Sequence, residues 1–177
     1  MVDLNAAAWS SPIRAEDVPE KGRHVNLVAD ETARDAVAKL AKVDAVSDLK
    51  ASFDVSPRGA GLHVGGRVTA TVRQKCVVSL EPIENRIDEE IAVSFSPHIT
   101  DAPQHREDDE EVETNMITDG PEPLIDGTVD LGGLAVEFLL LGIDPYPRKE
   151  GVAFEPPKDA KDDPGPFAAL AALKKKQ

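Results

Sequence analysis

The chain contains a single cysteine, Cys76, which excludes an intramolecular disulfide and any all-thiolate metal site. Aromatic residues are scarce, at 4% of 177 residues, and one Trp, one Tyr and five Phe leave little for the base-stacking platforms of single-strand nucleic-acid binders. Long hydrophobic runs are missing too. The uncharged apolar stretches, Phe138 to Ile143 among them, are far shorter than the roughly 20 residues that span a bilayer. No N-terminal stretch joins positive charge to an apolar core, so no signal peptide is expected. Catalytic signatures are equally sparse: no Gly-rich phosphate loop, no GxSxG elbow and no HExxH. His24, His63, His98 and His105 stand apart, without the spacing that lets one helix face or turn hold a metal. The expectation is a soluble cytoplasmic protein that is not an enzyme and uses no cofactor or metal.

What is present is an aliphatic chain with a lopsided charge. Hydrophobic residues make up 41%, mainly Val, Leu, Ile and Ala, and the length suits one domain with tails. Residues 80–126 hold 2 basic and 15 acidic groups and so account for the whole net charge of −13. Inside this piece lie Glu107, Asp108, Asp109, Glu110 and Glu111, flanked by Pro103, Pro121 and Pro123. Like charges this dense repel one another and bury too little apolar surface to offset chain entropy. Residues 97–123 therefore read as a mobile acidic loop, either a solvated connector or a polyanionic lure for a basic protein.

Periodicity places the elements. Ala33, Val37, Leu40 and Ala41 share a face at helical spacing, with a Thr32/Asp35 capping box or Asp30 as the N-cap. Alternation then takes over: Leu49, Ala51, Phe53 and Val55, a turn at 57–61, and Leu62 to Val72. Ile87, Ile91, Val93 and Phe95 share one parity in a further strand, and Ile125, Gly127, Val129 and Leu131 suggest a short one. Asp130 caps a helix to about Ile143, apolar nearly all round, with Asp144-Pro145-Tyr146-Pro147 as its stop. On that helix Asp130, Gly133, Glu137 and Asp144 form a narrow stripe that reads as a solvent-facing edge. Residues 148–166 read as a linker, and Phe167, Leu170 and Leu173 as one face of a short C-terminal helix.

The resulting fold class is α+β: a mostly antiparallel sheet, flat or curled toward a barrel, from about 23–29, 47–55, 62–76, 83–95 and 125–130, with two main helices. Residues 1–147 form one domain, and 148–177 a linker with a tail helix. Two sites stand out on the sheet. Cys76 shares parity with Val68, Ala70 and Val72, so a continuing strand turns its thiol into the core as an inert small hydrophobe. Arg67, Arg73 and Lys75 lie on the opposite parity with Thr69 and Thr71. That face suits either solvent or a contact with RNA phosphates.

The stretch Gln74-Lys75-Cys76-Val77-Val78-Ser79-Leu80-Glu81-Pro82 resembles the YceD family, a bacterial and plastid group whose name is tied to accumulation of large-subunit ribosomal RNA. The resemblance extends through Val129-Asp130-Leu131-Gly132, Glu137 and Asp144-Pro145-Tyr146-Pro147-Arg148 to Pro166-Phe167-Ala168-Ala169-Leu170, in order, from about Trp9 onward. The motif residues are thus Cys76, Leu80, Glu81, Pro82, Asp130, Glu137, Asp144, Pro145, Tyr146, Pro147 and Arg148. Ser79 stands where many relatives carry a second Cys. A CxxC pair suggests zinc or a redox switch, which a thiol with a serine serves poorly. The resemblance implies a part in ribosomal RNA accumulation or large-subunit assembly, with no catalytic residue to carry over. Charge then selects the partner: a basic ribosomal protein or maturation factor held by residues 107–111, or alternatively RNA held weakly by Arg67, Arg73 and Lys75.

Overall fold

Two hairpins built from neighbouring segments organise the molecule, which a computed structural model describes at residues 8–97 and 120–154. In chain order the elements are β1 (Pro12–Arg14), one 3-10 turn (Ala15–Asp17), β2 (Arg23–Val28), α1 (Glu31–Ala41), β3 (Ala45–Arg58), β4 (Gly61–Lys75), β5 (Pro82–Ser96), β6 (Glu122–Pro123), β7 (Thr128–Asp130) and α2 (Leu131–Gly142). The main sheet has the order β2-β3-β4-β5-β6 and is antiparallel except for the short β5–β6 pair. Among the described residues it is an open sheet and does not close into a barrel. Its end strands, β2 and β6, do not pair with each other.

The alternation in β3 and β4 reappears as their pairing. Arg58 lies opposite Gly61, so the turn is Gly59 and Ala60 alone, with Gly59 at φ +61 supplying the left-handed conformation of a tight hairpin. A bulge between Ser47 and Lys50 resets the pleat, so that Val46 and Leu49 both face inward ahead of Ala51, Phe53 and Val55. Phe53 lies opposite Gly66, and a Cβ added there would sit 2.8 Å from its ring. The glycine makes room for the one fully buried aromatic among the described residues. In β5 the inward parity carries Ile87, Ile91, Val93 and Phe95, as the alternation required.

Both helices cover the same face of this sheet, α1 over β3 and α2 over β5 and β4. Asp30 is the cap of α1, accepting from Ala33 N–H at 2.8 Å; the Thr32/Asp35 box is not used. The buried residues of α1 are Val37 and Ala38, while Leu40 is 46% exposed, so its inner face is rotated from the one the spacing suggested. In α2, Leu131, Gly132, Leu134, Ala135, Val136 and Leu139 are buried. Each fully buried Leu, Val or Phe stabilises this two-layer core by about 1.5–3 kcal/mol. No helix among the described residues is long and apolar enough to cross a membrane.

The stretch expected to be a strand over 125–130 is shorter and belongs elsewhere. β7 pairs with β1 in a separate two-stranded sheet, and Ile125 keeps only an isolated bridge to Thr128. Asp130 joins this small sheet to α2 as expected of the cap. Its Oδ1 accepts from Gly132 N–H (3.1 Å), Gly133 N–H (3.2 Å) and Ser11 N–H (2.7 Å). The C-terminal helix read over Phe167, Leu170 and Leu173 lies outside the described residues.

Candidate functional site

At the far end of β4 the chain turns sharply, and this turn meets the segment that follows α2. β4 ends at Lys75, so Cys76 does not continue the strand. Instead Cys76 N–H donates to Glu81 O and Leu80 N–H donates back to Cys76 O, both at 2.9 Å, and Leu80 is held at φ +60. The turn is then pinned from outside: Val77 N–H donates to Pro147 O at 2.9 Å, and Lys149 Nζ meets Glu81 Oε2 at 2.7 Å. One layer down, Gln74 Nε2 donates to Asp144 O at 2.9 Å while its Oε1 accepts from Asn85. Asp144 Oδ1 in turn accepts from Tyr146 N–H, which shapes the Pro-Tyr-Pro stop.

The sulfur of Cys76 sits at the centre, fully buried, and accepts N–H groups from Ser79 (3.4 Å) and Lys149 (3.3 Å). It lies apart from the contiguous apolar cluster that holds Val68, Ala70 and Val72. The inward placement expected from parity holds, since Cys76 is buried, but the strand stops at Lys75 and the sulfur accepts two N–H groups in a polar cradle instead of packing as an inert hydrophobe. The Ser79 hydroxyl, then the N–H groups of Ser79 and Lys149, lower its pKa to about 6 against the opposing effect of burial. At neutral pH the sulfur is mainly thiolate. The hydrogen bond and charge of Glu81, and after them the charge of Cys76, raise the pKa of Lys149, and Lys149 lowers that of Glu81. Ser79 thus faces the sulfur as a hydrogen-bond donor.

The remaining motif residues divide between this turn and α2. Pro147 is buried, whereas Leu80 (73%) and Tyr146 (71%) are exposed, as are Pro82, Pro145 and Arg148. Asp130 is a cap. Glu137 lies on the solvent-facing edge expected of it, with its pKa raised by partial desolvation and by Glu122 and Asp130. Sequence reasoning missed Gln74 and Lys149. The first left a signal, a polar residue at an inward position of β4; the second left none, because its partner is 73 residues away.

On the outer face of the sheet, Arg67 pairs with Asp88 at 2.6 Å and Arg73 with Glu84 at 2.9 Å, both across β4–β5. Lys75 is exposed without an ion pair among the described residues. Glu107, Asp108, Asp109, Glu110 and Glu111 lie outside the described residues. Among those described, no group of three His, Cys, Asp or Glu side chains is placed to hold a metal ion.

Two helices on one face of an antiparallel meander, with a turn centred on the Cys76 sulfur at its end, define a two-layer α+β protein. The chain belongs to the YceD family: the family model, described as large ribosomal RNA subunit accumulation protein YceD, matches residues 64–174 and takes in β4 from Val64 on, β5, α2 and every motif residue named above. No curated relative and no solved structure matches the chain.

Proposed function

We propose that this protein supports accumulation of large-subunit ribosomal RNA without catalysing a reaction, by holding a basic ribosomal protein or maturation factor in the cytoplasm through the carboxylates of residues 97–123. The family's description supplies the process. Charge supplies the partner: residues 80–126 contain 15 acidic groups against 2 basic ones. Attraction between such a segment and a cationic protein weakens with salt. A pulldown from lysate at low salt is expected to recover basic ribosomal proteins, to lose them when 101–123 are deleted, and to be indifferent to naked RNA. Recovery that depends on RNA, and disappears on nuclease treatment, sinks the proposal.

A second reading rests on Lys75, an exposed cation beside Arg67 and Arg73 on a strand rich in threonine. Here the outer face contacts RNA directly. It has less support, because phosphate must displace Asp88 and Glu84 from the two arginines, and affinity for a phosphate backbone comes from released counterions. Charge reversal at Arg67, Arg73 and Lys75 abolishes an RNA gel shift if this reading holds and leaves it unchanged if it does not.

A further inference from the structure

Among the described residues the sheet ends on a long strand with little beside it. β5 pairs with β4 along its whole length, from Pro82 opposite Lys75 to Phe95 opposite Leu62, but on its other side β6 meets only Phe95 and Ser96. Among the described residues no strand pairs with that side of β5 from Pro82 to Ser94. An unpaired edge presents a row of backbone donors and acceptors that another extended chain can satisfy. The opposite edge, β2, is six residues long and is followed at once by α1.

Charge around this edge has one sign on both faces. Outward, β5 carries Glu84, Asp88 and Glu90 against Arg86; Glu84 and Asp88 are committed to arginines of β4, and Glu90 forms no ion pair among the described residues. Inward, Glu89 lies against the last turn of α2, where a Cβ added to Gly142 would sit 2.6 Å from its carboxylate. That turn ends in backbone carbonyls with partial negative charge and contains no basic residue. Glu122 and Glu137 add two further carboxylates near the β6 end, close enough for Glu122 to raise the pKa of Glu137. The edge is thus flanked by negative charge on both faces.

We propose that the outer edge of β5 takes up an extended cationic segment of a partner protein as an added strand, with its basic side chains outward against Glu90 and the alternate ones inward on the Glu89 side. The inference rests on the reading above that the partner is basic, and adds where and in what conformation it binds. A second copy of this chain fits poorly, since antiparallel pairing of two β5 edges sets like charges beside each other.

The probe is a short fluorescent peptide alternating Lys and Val, titrated into the full chain at low salt, with two analogues N-methylated at one or the other alternate set of residues. An added strand uses one set of amides, so one analogue is expected to lose binding and the other to keep it, and hydrogen exchange in β5 is expected to slow. Reversing Glu90 to Lys weakens binding about two- to fivefold, the range for one exposed charge pair. The proposal is overturned if both analogues bind like the parent peptide, or if β5 is already protected along both sides in the free chain. It is equally overturned if binding requires neutralising the chain's own Lys174, Lys175 and Lys176, or if the peptide merely displaces a second copy. A variant with Glu107, Asp108, Asp109, Glu110 and Glu111 replaced by their amides separates the two readings. Binding that persists there and depends on N-methylation supports the edge. Binding lost there and blind to N-methylation leaves the acidic segment standing and removes the edge. No binding of any cationic peptide or protein removes both.

Discussion

The backbone N–H of Lys149 donates to the sulfur of Cys76 at 3.3 Å, across 73 residues of sequence. With the N–H of Ser79 on the other side, it makes the thiol an acceptor in a closed polar turn. The family motifs around Cys76 and around Pro147 are therefore parts of one structure.

The acidity of this thiol makes stability depend on pH. A group whose pKa is lower in the folded chain than in the unfolded one contributes stability in its ionised form. That contribution is complete above the unfolded value near 9 and fades as pH falls through about 6. The melting-temperature difference between the parent and Cys76→Ala is expected to shrink from pH 9 to pH 5.5. In Ser79→Ala, the thiolate ultraviolet absorbance is expected to titrate at higher pH. A pH-independent difference, or an unmoved titration, would show that the hydroxyl does not hold the charge.

His24 and Asp54 give the opposite sign. Nδ1 of His24 lies 2.7 Å from Asp54 Oδ1 across β2–β3, and this hydrogen bond raises the imidazole pKa above 6.5. The pair's contribution is full below 6.5 and is lost as pH rises through the folded value. Asp54→Asn is expected to return the His24 proton resonances to a titration near 6.5. An unchanged midpoint would mean that the pair does not form in solution.

Two leucines on one helix should behave oppositely. Leu139 is fully buried and Leu141 is 80% exposed. Leu139→Ala is expected to cost about 2–5 kcal/mol in urea unfolding, and Leu141→Ala within about 0.5 kcal/mol of nothing. Equal losses would place α2 at the wrong rotation on the sheet.

Asp130 joins the N-terminal strand to α2. Asp130→Ala removes the acceptor for Gly132, Gly133 and Ser11 and is expected to cost about 1–2 kcal/mol. It should also speed amide exchange at Ser11. A loss of stability with no change at Ser11 would confine the residue to its helix.

Much of this fold is legible in the chain because the signals are local. Alternation in 49–55, 62–72 and 87–95 marks three strands whose inward residues follow from parity, and Asp130 with the apolar run after it marks α2. The Leu40 side of α1 misled because the spacing of Ala33, Val37 and Leu40 is compatible with more than one rotation, and only contact with β3 selects Val37 and Ala38. β1, β6 and β7 are two or three residues long, too short for any period, and are defined by partners far away. The same holds at the site. Cys76 and Pro147 stand out as motif residues, yet the thiol's cradle depends on where β4 stops, which alternation cannot reveal when Cys76 itself keeps the parity.

Donors to this sulfur come from two distances along the chain. Ser79 is a near neighbour, while Lys149 arrives by way of α2 and the whole stretch after β5, a closure that carries a larger entropic cost. During refolding the thiol should acidify in two stages, a larger early step as the turn closes on Ser79 and a smaller later one as Lys149 docks. The lone sulfur thus acts as a stopwatch, its absorbance marking when the end of the domain has come home.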